Sequence, residues 1–274
     1  ITHGDGNIAI GYNAGTTLTT GSSNVLVGKQ AGSALTVGSA NVAVGFEALN
    51  TEDGTGRTVA IGRSALTAQN AGADAYNVAV GYNAGLSIST GVENTLIGGL
   101  AGDALTIGNY NTTLGYKTLS ASVDGDHNTA IGYQALKVYE DGDGNGHNTA
   151  IGSKAMLNAS TAEFNTAVGS LAMGTGVVTG DYNVVLGYYA GSVLTSGERN
   201  ILIGSNAGDA LTTGEYNVAV GHGALSAEDT YGRTTAIGYK ALNAQNTSSE
   251  SYNVAVGYEA GVVVSTGVRN TLIG

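Results

Sequence analysis

The chain has 274 residues, including 45 Gly but no Pro, Cys or Trp, and a formal net charge of −11. That acidity, with no Lys/Arg run against it, excludes a nucleic-acid binder, and the missing Cys excludes disulfides and thiolate metal sites. No run of 18 apolar residues is present to span a membrane, and the 42% apolar content is mostly small aliphatic residues.

In chain order, the predicted elements are sixteen short strands, each written Asn-x-small-aliphatic-Gly. The first position falls at 7, 24, 41, 58, 77, 94, 111, 128, 148, 165, 183, 200, 217, 234, 253 and 270, and eleven of the fifteen intervals are 17 residues. It is Asn except at Thr58 and Thr234. The second position is always β-branched, the fourth always Val, Ile or Leu, and the fifth always Gly. β-Branched residues favour strands, and an unvarying Gly predicts a corner with positive φ or a close backbone approach. One strand per coil, repeated in phase, predicts an all-β parallel β-solenoid with equivalent side chains in ladders about 4.8 Å apart. The predicted structural ladder includes Asn77, Val78, Val80, Gly81, Asn128, Ile131, Gly132, Asn253, Val256 and Gly257.

After the corner, two kinds of coil appear. In one, Gly follows a small residue and Leu comes three positions later, as at Gly15 and Leu18. In the other, Leu or Met comes at once, as at Leu49, and the remainder reads as a polar loop. One aliphatic group is expected to fill the same space from either place. All four longer intervals belong to the second kind, which places the insertions in exposed loops.

Residues 7–98 match 183–274 coil for coil at an offset of 176. The expected organisation is one continuous solenoid over 1–274, with duplicated blocks at 1–98 and 177–274 and the remaining coils of the unit at 99–176. The chain starts at "ITHGDGN" without Met and stops mid-coil at "NTLIG", so the natural chain is expected to continue.

Side chains alternate sides along a strand, so the second and fourth positions share one flank and the Asn and small residue share the other. Both flanks are largely apolar. A 17-residue coil is too thin to bury both, which predicts that further copies of the chain cover one of them. Ile131 is expected to point inward, and Ile131→Asp to abolish assembly. A hexapeptide solenoid is a poor alternative, because the sixth residue after the aliphatic position is polar at Thr16, Ser33, Asn50, Thr67, Asp103 and Ser120.

"NTAIGYQAL" (128–136) and "NVAVGYNAG" (77–85) resemble the head repeats of trimeric autotransporter adhesins, the YadA-like β-roll, and the related repeats of phage tail-fibre shafts. The resemblance runs through essentially the whole chain. It implies a left-handed β-roll, a homotrimer, an extracellular place on a virion tail or cell surface, and a glycan or protein receptor on a host. The coil is longer than the compact adhesin repeat, and no coiled-coil stalk or membrane anchor is seen, which favours the fibre over the adhesin. The expected function is therefore a non-enzymatic phage tail-fibre shaft, with a trimeric autotransporter-type adhesin as the alternative.

Acidic residues gather in the polar loops, at Glu52-Asp53, Asp124-Asp126, Glu140-Asp141-Asp143 and Glu228-Asp229. Asp141, Asp143 and Asn145, followed by Gly146, match the opening of a Ca²⁺ loop, although Gly152 stands where its closing bidentate Glu belongs. A solvated surface loop is the simpler reading. Neighbouring acids in such loops do not form the spaced pair that glycoside cleavage requires. His127 and His147 precede the motif Asn of consecutive coils and read as structural. Thr at the second position in only seven copies is too irregular for ice binding. Twelve of fifteen Tyr fall on two repeat positions, before the Asn or after the Gly. Tyr82, Tyr116 and Tyr133 are candidate sugar-stacking residues, against the simpler expectation that these rows shield coil corners.

Overall fold

The computed structural model describes residues 3–54, 56–139 and 145–274. It is a parallel β-solenoid of about sixteen turns, with no helix among the described residues. The chain divides into two compact units, one made of 3–134 with Asn145 and the other of 135–139 with 146–274.

The first unit stacks eight strands: β1 (Ile8–Ile10), β2 (Val25–Val27), β3 (Val42–Val44), β4 (Val59–Ile61), β5 (Val78–Val80), β6 (Thr95–Ile97), β7 (Thr112–Leu114) and β8 (Thr129–Ile131). The second stacks β9 (Thr149–Ile151), β11 (Thr166–Val168), β13 (Val184–Leu186), β14 (Ile201–Ile203), β15 (Val218–Val220), β16 (Thr235–Ile237), β17 (Val254–Val256) and β18 (Thr271–Ile273). A small parallel pair, β10 (Asn158–Ala159) and β12 (Val177–Val178), adds a second sheet there. Pairing follows the sequence repeat: Leu26 lies against Ala43, Ala43 against Ala60, and Ala219 against Ala236. The strands therefore occupy motif positions two to four, as predicted.

The motif Gly is required twice over. All sixteen have φ between 123° and 145°. A Cβ on Gly81 would lie 2.4 Å from the carbonyl oxygen of Gly98, and one on Gly238 would lie 2.1 Å from that of Gly257. Backbones of successive coils meet where any side chain would stand.

The buried flank differs from the expected one. In β2, β3, β5 and β8 the middle residue is buried while its two neighbours are only partly so. Ala130 is fully buried and Ile131 only partly so, so the inward assignment of Ile131 is corrected: it lies on the outer flank. The deciding group is the motif Asn. Its carboxamide must be satisfied by backbone inside the coil, which draws the Asn and small-residue flank inward. Asn24 shows the pattern. Its backbone N–H and Nδ2 both donate to Asn7 Oδ1, at 2.9 and 3.0 Å, and Nδ2 also donates to Gly38 O at 2.9 Å. Asn94 repeats this on Asn77 and Gly108.

The two coil kinds share one backbone. Leu49 and Leu66 adopt φ of 51° and 49°, close to the 56° of Gly15 and 54° of Gly32 in the other kind. Over Gly85 the space is filled by the coil's own Ile88 and by Leu66 and Leu96 of the neighbouring coils, since a Cβ there would meet them at 3.2, 2.8 and 2.9 Å. The expected compensation is present, at the cost of a left-handed backbone beneath each Leu or Met.

Candidate self-association face and its flanking ladders

With the Asn flank inside, the second and fourth positions form the outer surface of each stack. In the first unit this surface carries Val25, Val27, Val42, Val44, Val78 and Val80 and continues to Thr129 and Ile131. In the second it includes Val184, Leu186, Ile201, Ile203, Val254 and Val256. Leu114 is 49% exposed and Ile201 40%. Eight strands at about 4.8 Å give each unit an apolar strip roughly 34 Å high. The return half of the coil is different. Small hydroxyl side chains there donate along the stack, as Thr106 Oγ1 does to Val123 O at 3.0 Å and Thr195 Oγ1 to Thr212 O at 3.0 Å. The outer strip is thus mainly apolar, with Thr at seven of its second positions, and the return half is richer in hydroxyls, with Ile107 and Val123 also exposed there.

Two ladders of planar groups flank the strip, one at the residue before the motif Asn and one at the residue after the motif Gly. In the second unit the first ladder is continuous. His147, Phe164 and Tyr182 stack face to face at 5.0 and 5.2 Å. Arg199 then lies 5.4 Å from the Tyr182 centroid and 5.6 Å from that of Tyr216, and Arg233 lies between Tyr216 and Tyr252. Glu250, 2.9 Å from Arg233, raises the pKa of that guanidinium. In the first unit Tyr110 stacks on His127 at 4.6 Å.

The second ladder joins His222, Tyr239 and Tyr258 at 5.5 and 5.1 Å, and Tyr116 to Tyr133 at 6.0 Å. Stacked rings cover one another's faces: Tyr239, with a ring on each side, offers only its edge and hydroxyl, whereas Tyr116, Tyr133 and Tyr258 each have one stacked ring. Of the three candidate sugar-stacking residues, Tyr116 and Tyr133 are each other's neighbours, while Tyr82 has Arg63 against it at 5.5 Å.

The acidic loops resolve differently from their expected solvation. Glu52 and Glu228 are fully buried. Gln69 Nε2 donates to Glu52 Oε2 at 3.1 Å and to Thr58 Oγ1 at 3.0 Å, and Asn77 Nδ2 donates to Gln69 Oε1 at 2.9 Å. The same set recurs at Glu228, Gln245, Thr234 and Asn253. Gln supplies the carboxamide oxygen missing where Thr replaces the motif Asn. A signal was present in the sequence: both Thr exceptions have Glu six residues before and Gln eleven after. Of the Ca²⁺ candidates, Asp141 and Asp143 lie outside the described residues, and Asn145 is exposed. Among the described residues no group of three or more His, Asp or Glu is placed to hold a metal, and no helix is long and apolar enough to cross a membrane.

The geometry defines a repeat protein of the parallel β-solenoid class. No family model, curated protein or solved structure matches the chain.

Proposed function

We propose that this chain is the non-enzymatic shaft of an extracellular attachment fibre, of the phage tail-fibre kind, assembled as a homotrimer through its aliphatic strip. The supporting observation is the strip itself. Side chains such as Ile10, Leu114, Leu186 and Ile201 stand in register on the outside of the coil, where a lone chain leaves them in water. Three copies turning these strips toward a shared axis would remove them from water and leave the side richer in hydroxyls outermost. The shaft's work is mechanical: it holds receptor-binding parts at a distance and presents them in several copies, which raises avidity toward a host glycan or protein. The extracellular place and the number three rest on the motif resemblance.

A pair of variants tests the assembly. Ile131→Asp places a charge on the outer flank, where burial between copies would leave it unpaired. It is expected to dissociate the assembly while circular dichroism stays that of a folded β-protein. Ala130→Asp places the same charge in the coil interior and is expected to prevent folding of that region. Light scattering that finds Ile131→Asp at the wild-type assembled mass would refute the interface.

A further inference from the structure

In the ladder that follows the motif Gly, ring faces are covered wherever planar residues occupy successive coils. The succession breaks at Gly99. Tyr82, Gly99, Tyr116 and Tyr133 stand on four consecutive coils, held in step by Leu100 N–H on Tyr82 O at 2.8 Å, Lys117 N–H on Gly99 O at 3.1 Å, and Gln134 N–H on Tyr116 O at 3.0 Å. Tyr116 has its ring partner at Tyr133, and Tyr82 has Arg63 stacked against it, with the guanidinium donating to the Tyr82 hydroxyl at 3.1 Å. Their other neighbour in the ladder is a glycine. A Cβ on Gly99 would have two atoms within 4 Å, Tyr116 Cδ2 at 3.5 Å and Cε2 at 3.8 Å, and no atom of Tyr82 within that distance. Both rings are about half exposed, at 50% and 47%.

The geometry points to a binding slot for a single pyranose ring, with Tyr82 and Tyr116 as its walls and Gly99 as its floor. Two coil steps separate the walls by about 9.6 Å. Carbon atoms in contact need roughly 3.5–4.0 Å on each side, so a flat ring leaves slack and a puckered sugar ring takes it up. Apolar ring faces suit the C–H faces of a sugar, while the two phenol hydroxyls suit its hydroxyls. A cation lies against each wall, Arg63 at Tyr82 and Lys117, whose Nζ is 5.4 Å from the Tyr116 centroid. These add donors for a ring hydroxyl or an acidic substituent. The other interruptions differ: Ser153 and Ser170 are consecutive, so neither has a ring on both sides one coil away, and at Ser205, between Tyr188 and His222, Tyr189 packs edge-on against Tyr188 at 4.5 Å. The slot gives the shaft a glycan contact of its own, and it requires no particular number of copies.

Gly99→Tyr is the decisive variant, because it completes the ladder and fills the slot. Gly99 has no left-handed φ, and a Cβ there makes only ordinary contacts, so the variant should fold. Saturation-transfer NMR on the full chain would use the methyl pyranosides of glucose, galactose and N-acetylglucosamine and the methyl glycoside of sialic acid. The wild type is expected to pass saturation to the ring C–H protons of at least one probe. Gly99→Tyr should abolish the transfer and Tyr82→Ala should weaken binding about tenfold, with melting and assembled mass unchanged. No transfer to any probe from the wild type, or equal transfer from wild type and Gly99→Tyr, overturns the slot. A fall in assembled mass in Gly99→Tyr also overturns it, by assigning the gap to a side chain of a second copy. A monomeric wild type that still binds a probe would instead remove the trimer and keep the slot.

Discussion

At residue scale the motif Gly and the motif Asn carry the coil. Gly81 combines a φ of 145° with a neighbouring carbonyl oxygen 2.4 Å from where a Cβ would stand. Gly81→Ala is therefore expected to lose about 2–3 kcal/mol, from backbone strain together with the clash, seen as a lower denaturant midpoint. Gly99→Ala, with ordinary contacts and no left-handed φ, is the control and should shift the midpoint little. The identity of Gly in all sixteen copies made this corner legible from sequence, and both suggested reasons for it hold. The Asn ladder was legible too, but its energetic consequence was not. Alternation along a strand is symmetric, so the pattern Asn-Val-Ala-Val names two flanks without saying which is inside. The tie is broken by hydrogen bonding: Asn94 Nδ2 donates to Asn77 Oδ1 and Gly108 O, partners available only within the stack. Val80 and Ile131 are accordingly on the outer flank.

At the scale of the coil, the buried Glu–Gln–Thr set shows how one rung is altered without leaving polar groups stranded. Thr58 cannot offer the carboxamide oxygen that Asn77 Nδ2 requires, and Gln69 Oε1 supplies it while Gln69 Nε2 ties down Glu52. Gln69→Leu removes these bonds and the one from Gln69 Nε2 to Thr58 Oγ1 inside a dry interior. A loss of about 1–3 kcal/mol is expected, and hydrogen exchange should rise at β4 and β5 before other strands. Exchange unchanged at those strands would mean that Glu52 and Asn77 do not depend on Gln69. The main strand positions and their register were readable from the repeat; the short strand β12 at Val177–Val178, in a coil expected to carry only a polar loop, was not. The burial of Glu52 and Glu228 was not readable either, because a Glu beside an Asp in a polar segment that ends in Gly has the composition of a solvated loop. The interruption at Gly99 was likewise invisible until the surrounding rings were seen to cover one another.

At the scale of the whole molecule, each unit presents the same division between a mainly aliphatic side and a side richer in hydroxyls, so the case for self-association is repeated along the chain. The duplication of 7–98 as 183–274 repeats the aliphatic strip along with the coil sequence. Hydrophobic contact distributed over many coils is non-directional and gains with each added coil, which suits a shaft better than a single hot spot does. The most direct measurement is the solution mass of the unmodified chain by light scattering, followed down in concentration. The account predicts three times the chain mass of 27.2 kDa, persisting on dilution. A folded, soluble species that stays at 27.2 kDa throughout would show that water covers the aliphatic strip and would contradict it.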